Sequence, residues 1–254
     1  MIFTTTYDVM ALIKFDHVSK TFSHRGEAKL LRAHIRDRLK AQPKRVFYAL
    51  KDVSFSLEHG QSLAVIGRNG AGKSTLLSLV AGLCLPSAGQ VKVIGRVAPL
   101  LQLGSGFHPD MTGMENARLN ASLMGLSRKR TEEVLPSIVE FAELDGFLND
   151  TIRTYSTGMV MRLGFSVAVH ADADILIIDE VLGVGDERFQ AKCFDKIHEF
   201  RACGKTLLFV SHGAEMVRQY CETALWLDRG EVMLKGPADQ VLEAYADSTQ
   251  RTSG

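Results

Sequence analysis

The feature that constrains this chain most is a glycine-rich turn between two apolar segments. Residues 63–66 read Leu-Ala-Val-Ile, which suits a buried strand, and residues 76–80 have the apolar pattern of a helix. The turn between them fits G-x-x-x-x-G-K-[ST] at every fixed position, in the strand–loop–helix order that this motif requires. The motif and the residue after it consist of Gly67, Arg68, Asn69, Gly70, Ala71, Gly72, Lys73, Ser74 and Thr75. The sequence therefore predicts a phosphate-binding loop.

Each residue type in this loop has a chemical reason. The glycines at 67, 70 and 72 permit backbone angles that a Cβ would forbid, so that successive N–H groups can point at phosphate oxygens. The N-terminus of the following helix adds positive potential. Lys73 is predicted to reach the β- and γ-phosphates, and Ser74 to offer its hydroxyl to Mg²⁺. A chance match in a chain of this length has odds of roughly 1%, so we interpret the loop as a site for a nucleoside triphosphate.

Composition narrows the class of protein. The 254 residues are 46% hydrophobic and 23% charged, as expected for a soluble globular chain, and the net charge of +1 gives no reason to expect nucleic-acid binding. The four cysteines lack metal-ligand spacing and are predicted to be reduced thiols. No stretch reaches the ~18 uninterrupted apolar residues of a transmembrane helix, and residues 1–9 lack the features of a secretory signal. We therefore expect a cytosolic chain whose contact with a membrane depends on a partner or on its surface.

Polar residues follow two further apolar segments at the points where strands are expected to end. The Ile-Leu-Ile-Ile segment at residues 175–178 precedes Asp179 and Glu180, and a second apolar segment ends before His212. Ligands of open α/β sheets bind at the carboxyl ends of the parallel strands. We predict that Asp179 holds Mg²⁺ through water and that Glu180 orients or activates the attacking water. His212 is predicted to contact the γ-phosphate or to position that water.

Periodicity predicts the remaining elements. Alternating residues favour strands at 11–22 and 50–57, which would form a small antiparallel sheet beside the nucleotide. Strand character returns at 90–103, Thr206–Val210 continues the buried sheet, and 224–234 is predicted to be a hairpin. Helices are predicted after Thr112, which would cap the first of them, at about 131–143, at about 189–201, and from Pro237 to about 246, followed by a polar tail at 248–254.

A basic segment between the first two strands stands apart from this pattern. Residues 23–46 contain eight basic and two acidic residues, and Leu31, Ile35 and Leu39 lie on one face of a potential helix. A basic amphipathic helix can face anionic lipid or the groove of a partner. A surface helix that docks on its own domain explains the pattern equally well, and the sequence leaves both interpretations open.

Together, these motifs resemble those of the ATP-binding-cassette (ABC) family of ATPases, and the resemblance covers nearly the whole chain. It implies an α/β fold, a P-loop NTPase with a RecA-like parallel-sheet core, a small antiparallel β subdomain and a helical subdomain. A single cassette would span 1–254, without a C-terminal carbohydrate-binding domain. Its expected parts are the β subdomain with the phosphate-loop half at 10–103, the helical subdomain at 104–160, the second half of the core at 161–247 and the tail at 248–254.

The resemblance also implies roles for single residues. Tyr48, 25 residues before Lys73, matches the aromatic that stacks on adenine, and Phe47 is the alternative. Gln102 matches the glutamine that links the γ-phosphate and its Mg²⁺ to the transmembrane partner, and His212 matches the switch histidine. We therefore expect ATP and Mg²⁺ as cofactors and ATP hydrolysis as the reaction.

In this family two chains share each nucleotide. Residues 155–159 read Tyr-Ser-Thr-Gly-Met where the family signature usually reads L-S-G-G-Q. The resemblance implies that Ser156, Thr157 and Gly158 contact the ATP held by a second copy of the chain, and that Asp186 lies in the dimer-interface loop. The threonine and the methionine depart from the usual signature, whereas the serine and the last glycine are retained, so we expect function to survive.

Several features that depart from the usual ABC pattern resemble those of one subfamily, the ATPase subunits that export lipid-linked O-antigen, capsule or teichoic-acid polymers. They are the altered signature, the Val-Leu-Gly-Val-Gly-Asp loop after Glu180, residues 104–109 and the basic segment before Tyr48. The resemblance implies two copies of an integral membrane permease, an ATP-dependent homodimer and a lipid-linked glycan substrate. It implies a peripheral position at the cytoplasmic face of the bacterial inner membrane, which residues 23–46 would contact. An importer ATPase, a soluble cassette acting on nucleic acid or the ribosome, and a scaffold without useful turnover are the alternatives.

Overall fold

The computed structural model describes residues 11–23, 46–100, 103–179, 185–211 and 213–252. Its strands are β1 (Ala11–Ser23), β2 (Val46–Glu58), β3 (Ser62–Ile66), β4 (Ala88–Val93), β5 (Val97–Pro99), β6 (Ile175–Ile178), β7 (Thr206–Val210), β8 (Thr223–Asp228) and β9 (Glu231–Pro237). Its helices are α1 (Lys73–Val80), α2 (Gly113–Leu123), α3 (Arg128–Ala142), α4 (Thr157–His170), α5 (Glu187–Ala202), α6 (Ala214–Tyr220) and α7 (Ala238–Thr252), with a 3₁₀ turn at Ile152–Thr154. Among these helices, none has both the length and the apolar character needed to cross a membrane.

A small antiparallel sheet forms one layer of the fold, as the alternating pattern predicts. Its strands lie in the order β2-β1-β4. Alternate side chains of β1 point into the core, and Phe15 stacks on Phe55 of β2 with ring centroids 4.6 Å apart. The apolar face of this sheet packs on the same hydrophobic cluster as α1. The sheet therefore lies beside the phosphate loop, where the sequence places it.

The main sheet has the order β5-β6-β7-β3-β8-β9 in the part of the chain that is described. Strands β5, β6, β7, β3 and β8 are parallel, and β9 pairs antiparallel with β8. Every residue of β3, β6 and β7 is buried, because helices and the small sheet cover both faces. This sheet confirms the predicted α/β class. Since parallel strands end at the same edge, it brings the phosphate loop after β3 and Asp179 after β6 to one side.

Helices α2, α3 and α4 enclose a hydrophobic cluster of their own, which includes Ala117, Ile138 and Leu163. Thr112 caps α2 as predicted: its hydroxyl accepts the Glu115 N–H, and the Glu115 carboxylate accepts the Thr112 N–H in return. These three helices therefore share a hydrophobic cluster of their own, as expected for the helical lobe that the sequence predicts.

Some element boundaries differ from the prediction. The strand character at 90–103 divides into β4 and β5 around Gly95, which has a φ of 98°. Helix α3 begins at Arg128, capped by Ser127, and α5 begins at Glu187, capped by Asp186. The first turn of each helix is fixed by a polar capping residue and not by apolar residues. A prediction from the apolar period alone therefore starts both helices a few residues too late.

The last helix also differs. Pro237 closes β9, so α7 begins at Ala238, and the helix continues to Thr252. The predicted polar tail at 248–254 is therefore wrong over residues 248–252. The hydroxyls of Ser248 and Thr249 donate to the Tyr245 carbonyl, at 2.7 and 3.2 Å, so these polar side chains are satisfied within the helix.

Candidate functional site: a nucleotide cleft

The conformation of the phosphate loop is fixed by close contacts with neighbouring backbone. Gly67 and Gly72 have φ values of 146° and 110°, a region that a residue with a Cβ rarely adopts. A Cβ at Gly67 would collide with the carbonyl oxygen of Leu227, and one at Gly72 with that of Ala49. The Gly230 N–H donates to the Ala71 carbonyl at 2.9 Å. The loop is thus fixed from behind by strand β2 and by the turn between β8 and β9.

Lys73 lies inside this loop. The residue is only 7% exposed, and its ammonium group donates to the carbonyls of Gly67 and Arg68 at 2.6 and 3.1 Å. Two backbone oxygens therefore orient the charge of the lysine from the loop itself. At the start of α1, Gly72 offers no side chain to cap the helix, so the N-terminal N–H groups are suited to an anionic ligand.

A cleft of about 350 Å³ opens over the loop. Asp179, half-buried directly after β6, lines it together with the exposed Ser74 of the loop motif. The structure thus brings together the two predicted Mg²⁺ ligands that it describes. The described residues that line it are Phe47, Ala49, Asn69, Gly70, Ala71, Gly72, Lys73, Ser74, Thr75 and Asp179.

The structure favours Phe47 over Tyr48 as the aromatic at this cleft. Successive side chains of a strand point to opposite faces, and Phe47 and Ala49 of β2 both line the cleft, whereas Tyr48 is not among its lining residues. Both aromatics are about half exposed, at 56% and 48%. The predicted stacking on the base therefore has a better placed candidate one residue earlier.

The signature segment lies outside this cleft. Ser156 caps α4, and its hydroxyl accepts the Met159 N–H at 3.2 Å. Ser156 and Thr157 are exposed and Gly158 is half-buried, and none of the residues lining the cleft comes from this segment. The segment therefore presents an exposed helix N-terminus that the cleft of the same chain does not use.

Asp186 lies at a second exposed helix N-terminus. Its carboxylate caps α5 by accepting the Phe189 N–H at 2.9 Å, and it lies 3.8 Å from the Arg162 guanidinium. Sequence reasoning assigns no role to Arg162 or to Glu143, its principal ion-pair partner. Neither belongs to a recognisable motif, and only the assembled fold brings them together.

Several parts of the sequence-based hypothesis lie outside the described residues. They include Gln102, Glu180, residues 181–184 of the loop that follows it, His212 and all but the ends of the basic segment at 23–46. Their predicted roles stay predictions.

Comparison with known proteins agrees with this geometry. The family model described as "ABC transporter" matches residues 50–183, which include the phosphate loop, the signature segment and Asp179. The chain belongs to the ABC transporter family. It is an ATP-hydrolysing cassette of that family.

Curated relatives cover most of the chain. It is 46% identical over 238 residues to the O-antigen export system ATP-binding protein RfbB of Klebsiella pneumoniae, covering 92% of this chain and 97% of that protein. It is 39% identical over 235 residues to the teichoic acids export ATP-binding protein TagH of Bacillus anthracis, covering 92% of this chain but only 42% of that longer protein.

Solved structures support the fold. An ATP-binding subunit of an ABC transporter aligns with a TM-score of 0.73 at 24% identity, covering 92% of this chain and 93% of the other. A dimeric ATP-binding cassette in a post-hydrolysis state with ADP and Pi aligns with a TM-score of 0.71 at 22% identity, covering 89% and 98%. At this level of identity the alignments show the shared cassette fold.

Proposed function

We propose that this chain is the ATPase subunit of a transporter that exports a lipid-linked polysaccharide of the O-antigen, capsule or teichoic-acid type. The observation that carries the proposal is the 46% identity to an O-antigen export ATP-binding protein over 97% of that protein's length. Identity of this extent is not confined to the phosphate loop and includes the helical lobe.

Within one chain, the described residues are suited to bind and polarise the nucleotide. The loop residues and Lys73 line the cleft, where the backbone N–H groups and the lysine ammonium would neutralise phosphate charge. Ser74 and Asp179 supply a hydroxyl and a carboxylate oxygen in the same cleft, which is the oxygen chemistry that Mg²⁺ prefers. Mg²⁺ would add charge neutralisation at the β- and γ-phosphates. Glu180 and His212 follow the strands that end at this edge and are proposed to orient the attacking water.

We propose that catalysis needs two chains. Among the residues that the structure describes, those that line the cleft include none from the signature segment of the same chain. We propose that Ser156, at its exposed helix N-terminus, meets the γ-phosphate held by a second copy, and that Asp186 lies at the same interface. Binding of ATP would therefore pair two chains, and each nucleotide would be enclosed by donors from both.

The chain is proposed to act at the cytoplasmic face of the inner membrane with two copies of a permease. Residues 23–46, with a net charge of +6, are proposed to lie at the lipid surface. Arginines there can bind the phosphate of a lipid-linked substrate by forked hydrogen bonds. General attraction to anionic lipid would add ~1 kcal/mol for each basic residue.

Deletion of the gene in its native host tests this proposal. We expect the surface polysaccharide to disappear while the lipid-linked polymer accumulates inside the cell, and we expect the wild-type gene to restore export. A matched complementation with the Glu180→Gln variant should fail to restore it. Normal surface polysaccharide in the deletion strain would refute the export function, and loss of uptake of a solute instead would indicate an importer.

A further inference from the structure

Glu143 ends helix α3 in a conformation that its residue type disfavours. Its φ and ψ are 55° and 46°, the left-handed region, and its N–H donates to the Val139 carbonyl at 3.2 Å. An L-residue with a side chain is strained here, and glycine is the usual residue at such a helix end. A strained backbone of this kind persists only where its surroundings fix it, and such sites often serve function.

The Glu143 carboxylate collects positive charge from two other helices. One oxygen accepts the Arg162 guanidinium at 3.0 Å and the other accepts the Lys192 ammonium at 2.8 Å, with the Arg188 guanidinium 3.8 Å away. The side chains of Glu143 and Arg162 are only 30% and 17% exposed, so water screens this contact less than an exposed pair. The hydrogen bond from Lys192, followed by the charges of all three cations, keeps the pKa of Glu143 below its ordinary value.

These cations belong to the two helices whose N-termini are proposed to meet the second chain. Arg162 lies on α4, which Ser156 caps, and Lys192 lies on α5, which Asp186 caps. Arg162 strengthens the link, because its guanidinium lies 4.6 Å from the centre of the Phe189 ring and 3.8 Å from the Asp186 carboxylate. Glu143 is thus the common partner of α4 and α5.

We propose that Glu143 is a positioning residue that holds the N-terminus of α4 and the N-terminus of α5 in the relative orientation required to pair with a second, ATP-bound chain. The proposal rests on the proposed function, in which Ser156 and Asp186 meet the other copy. Glu143 itself is absent from the residues that line the nucleotide cleft, so it acts on pairing and leaves the binding of ATP to one chain unaffected.

Two substitutions that differ in their effect on the backbone separate a positioning role of Glu143 from a general effect on the stability of the fold. Glu143→Gly relieves the left-handed strain and removes the carboxylate, whereas Glu143→Gln keeps the strain and removes only the charge. We expect both variants to weaken ATP-dependent dimerisation by at least fivefold in a Glu180→Gln background. In the otherwise wild-type chain, both should lower the ATPase kcat by a similar factor. The affinity of the monomer for a fluorescent ATP analogue should stay within twofold, and the melting temperature of Glu143→Gly should not fall.

Glu132→Gln is the matched control. Glu132 lies on the same helix and pairs with Arg118 at 2.8 Å, but this ion pair joins α3 to α2 and reaches neither α4 nor α5. We expect the control to leave dimerisation and kcat unchanged. Adding Arg162→Met to Glu143→Gln should cost less than the sum of the two single effects, since both changes break the same link.

The outcomes separate this proposal from the proposed function. If the Glu180→Gln parent fails to dimerise on ATP, the shared site is refuted, and the role of Glu143 with it. If the parent dimerises and both Glu143 variants do so equally well, only the positioning role is refuted. If Glu132→Gln weakens dimerisation as much as Glu143→Gln does, the effect is a general loss of charge on α3, which also refutes it.

Discussion

Replacing Phe47 by alanine should weaken the binding of ATP about tenfold. Phe47 lines the nucleotide cleft and is 56% exposed, so of the roughly 200 Å² that a phenylalanine can bury, somewhat more than 100 Å² remains open to a ligand. A stacked base covers one face of the ring, about half of that area, which is worth ~1.4 kcal/mol at ~25 cal/mol per Å². This value lies within the ~1–3 kcal/mol typical of base–aromatic stacking, and 1.4 kcal/mol corresponds to a tenfold change in Kd.

Titration of a fluorescent ATP analogue into the wild-type chain and into Phe47→Ala, Phe47→Trp and Tyr48→Ala measures this effect. We expect Phe47→Trp to bind nearly as well as the wild type, because stacking tolerates any aromatic ring. Tyr48→Ala is the matched control from the adjacent position, with similar exposure but on the other face of β2. If Tyr48→Ala loses affinity and Phe47→Ala does not, the sequence-based assignment of Tyr48 is right and our interpretation of the strand faces is wrong.

Three further predictions follow from the proposed roles. Glu180→Gln should lower turnover by ~10²-fold or more, within the range of general-base and positioning roles, with ATP affinity nearly unchanged; a variant that retains half the rate in a steady-state phosphate assay would remove Glu180 from that role. Ser156→Arg, which adds bulk and charge at an exposed helix N-terminus, should abolish ATP-dependent dimerisation of the Glu180→Gln chain on size exclusion, and an unaltered dimer peak would count against a shared site. Replacing Arg32, Arg36 and Arg38 by glutamate should impair polysaccharide export in cells, while the ATPase rate of the isolated chain stays within about twofold. Normal export would exclude a substrate role for the basic segment. Lost ATPase activity would show that the segment supports the nucleotide site instead.

Sequence patterns predict the parts of this fold that depend on local chemistry. The glycines of the phosphate loop, the cap at Thr112 and the acidic end of β6 are visible because each role demands a particular residue type at a fixed spacing. The meeting of the polar strand ends at one edge follows from the same patterns, since a parallel sheet places the carboxyl ends of its strands on one side.

Other features depend on contacts between distant segments. The choice between Phe47 and Tyr48 depends on the register of β2, and a shift of one residue exchanges the two faces of a strand. Glu143 is unremarkable in sequence, because its strained backbone and its cation partners 19 and 49 residues away arise only when α3, α4 and α5 pack together. The full length of α7 is not predicted for a simpler reason. Ser248 and Thr249 are typical of a polar tail, and only the structure shows that their hydroxyls donate to the Tyr245 carbonyl in the preceding turn.

The central claim is that ATP is hydrolysed between two copies of this chain, with the phosphate loop from one and the signature segment from the other. Mixing two inactive variants tests it most directly. Lys73→Ala removes the ammonium of the phosphate loop, and Ser156→Ala removes the signature hydroxyl without adding bulk at the interface, so that a mixed dimer retains one intact site built from both chains. We predict that each variant alone is inactive and that the mixture recovers ATPase activity at least tenfold above either one. A mixture no more active than its two components would contradict the account, and a signature variant that is fully active on its own would show that the site is completed within a single chain.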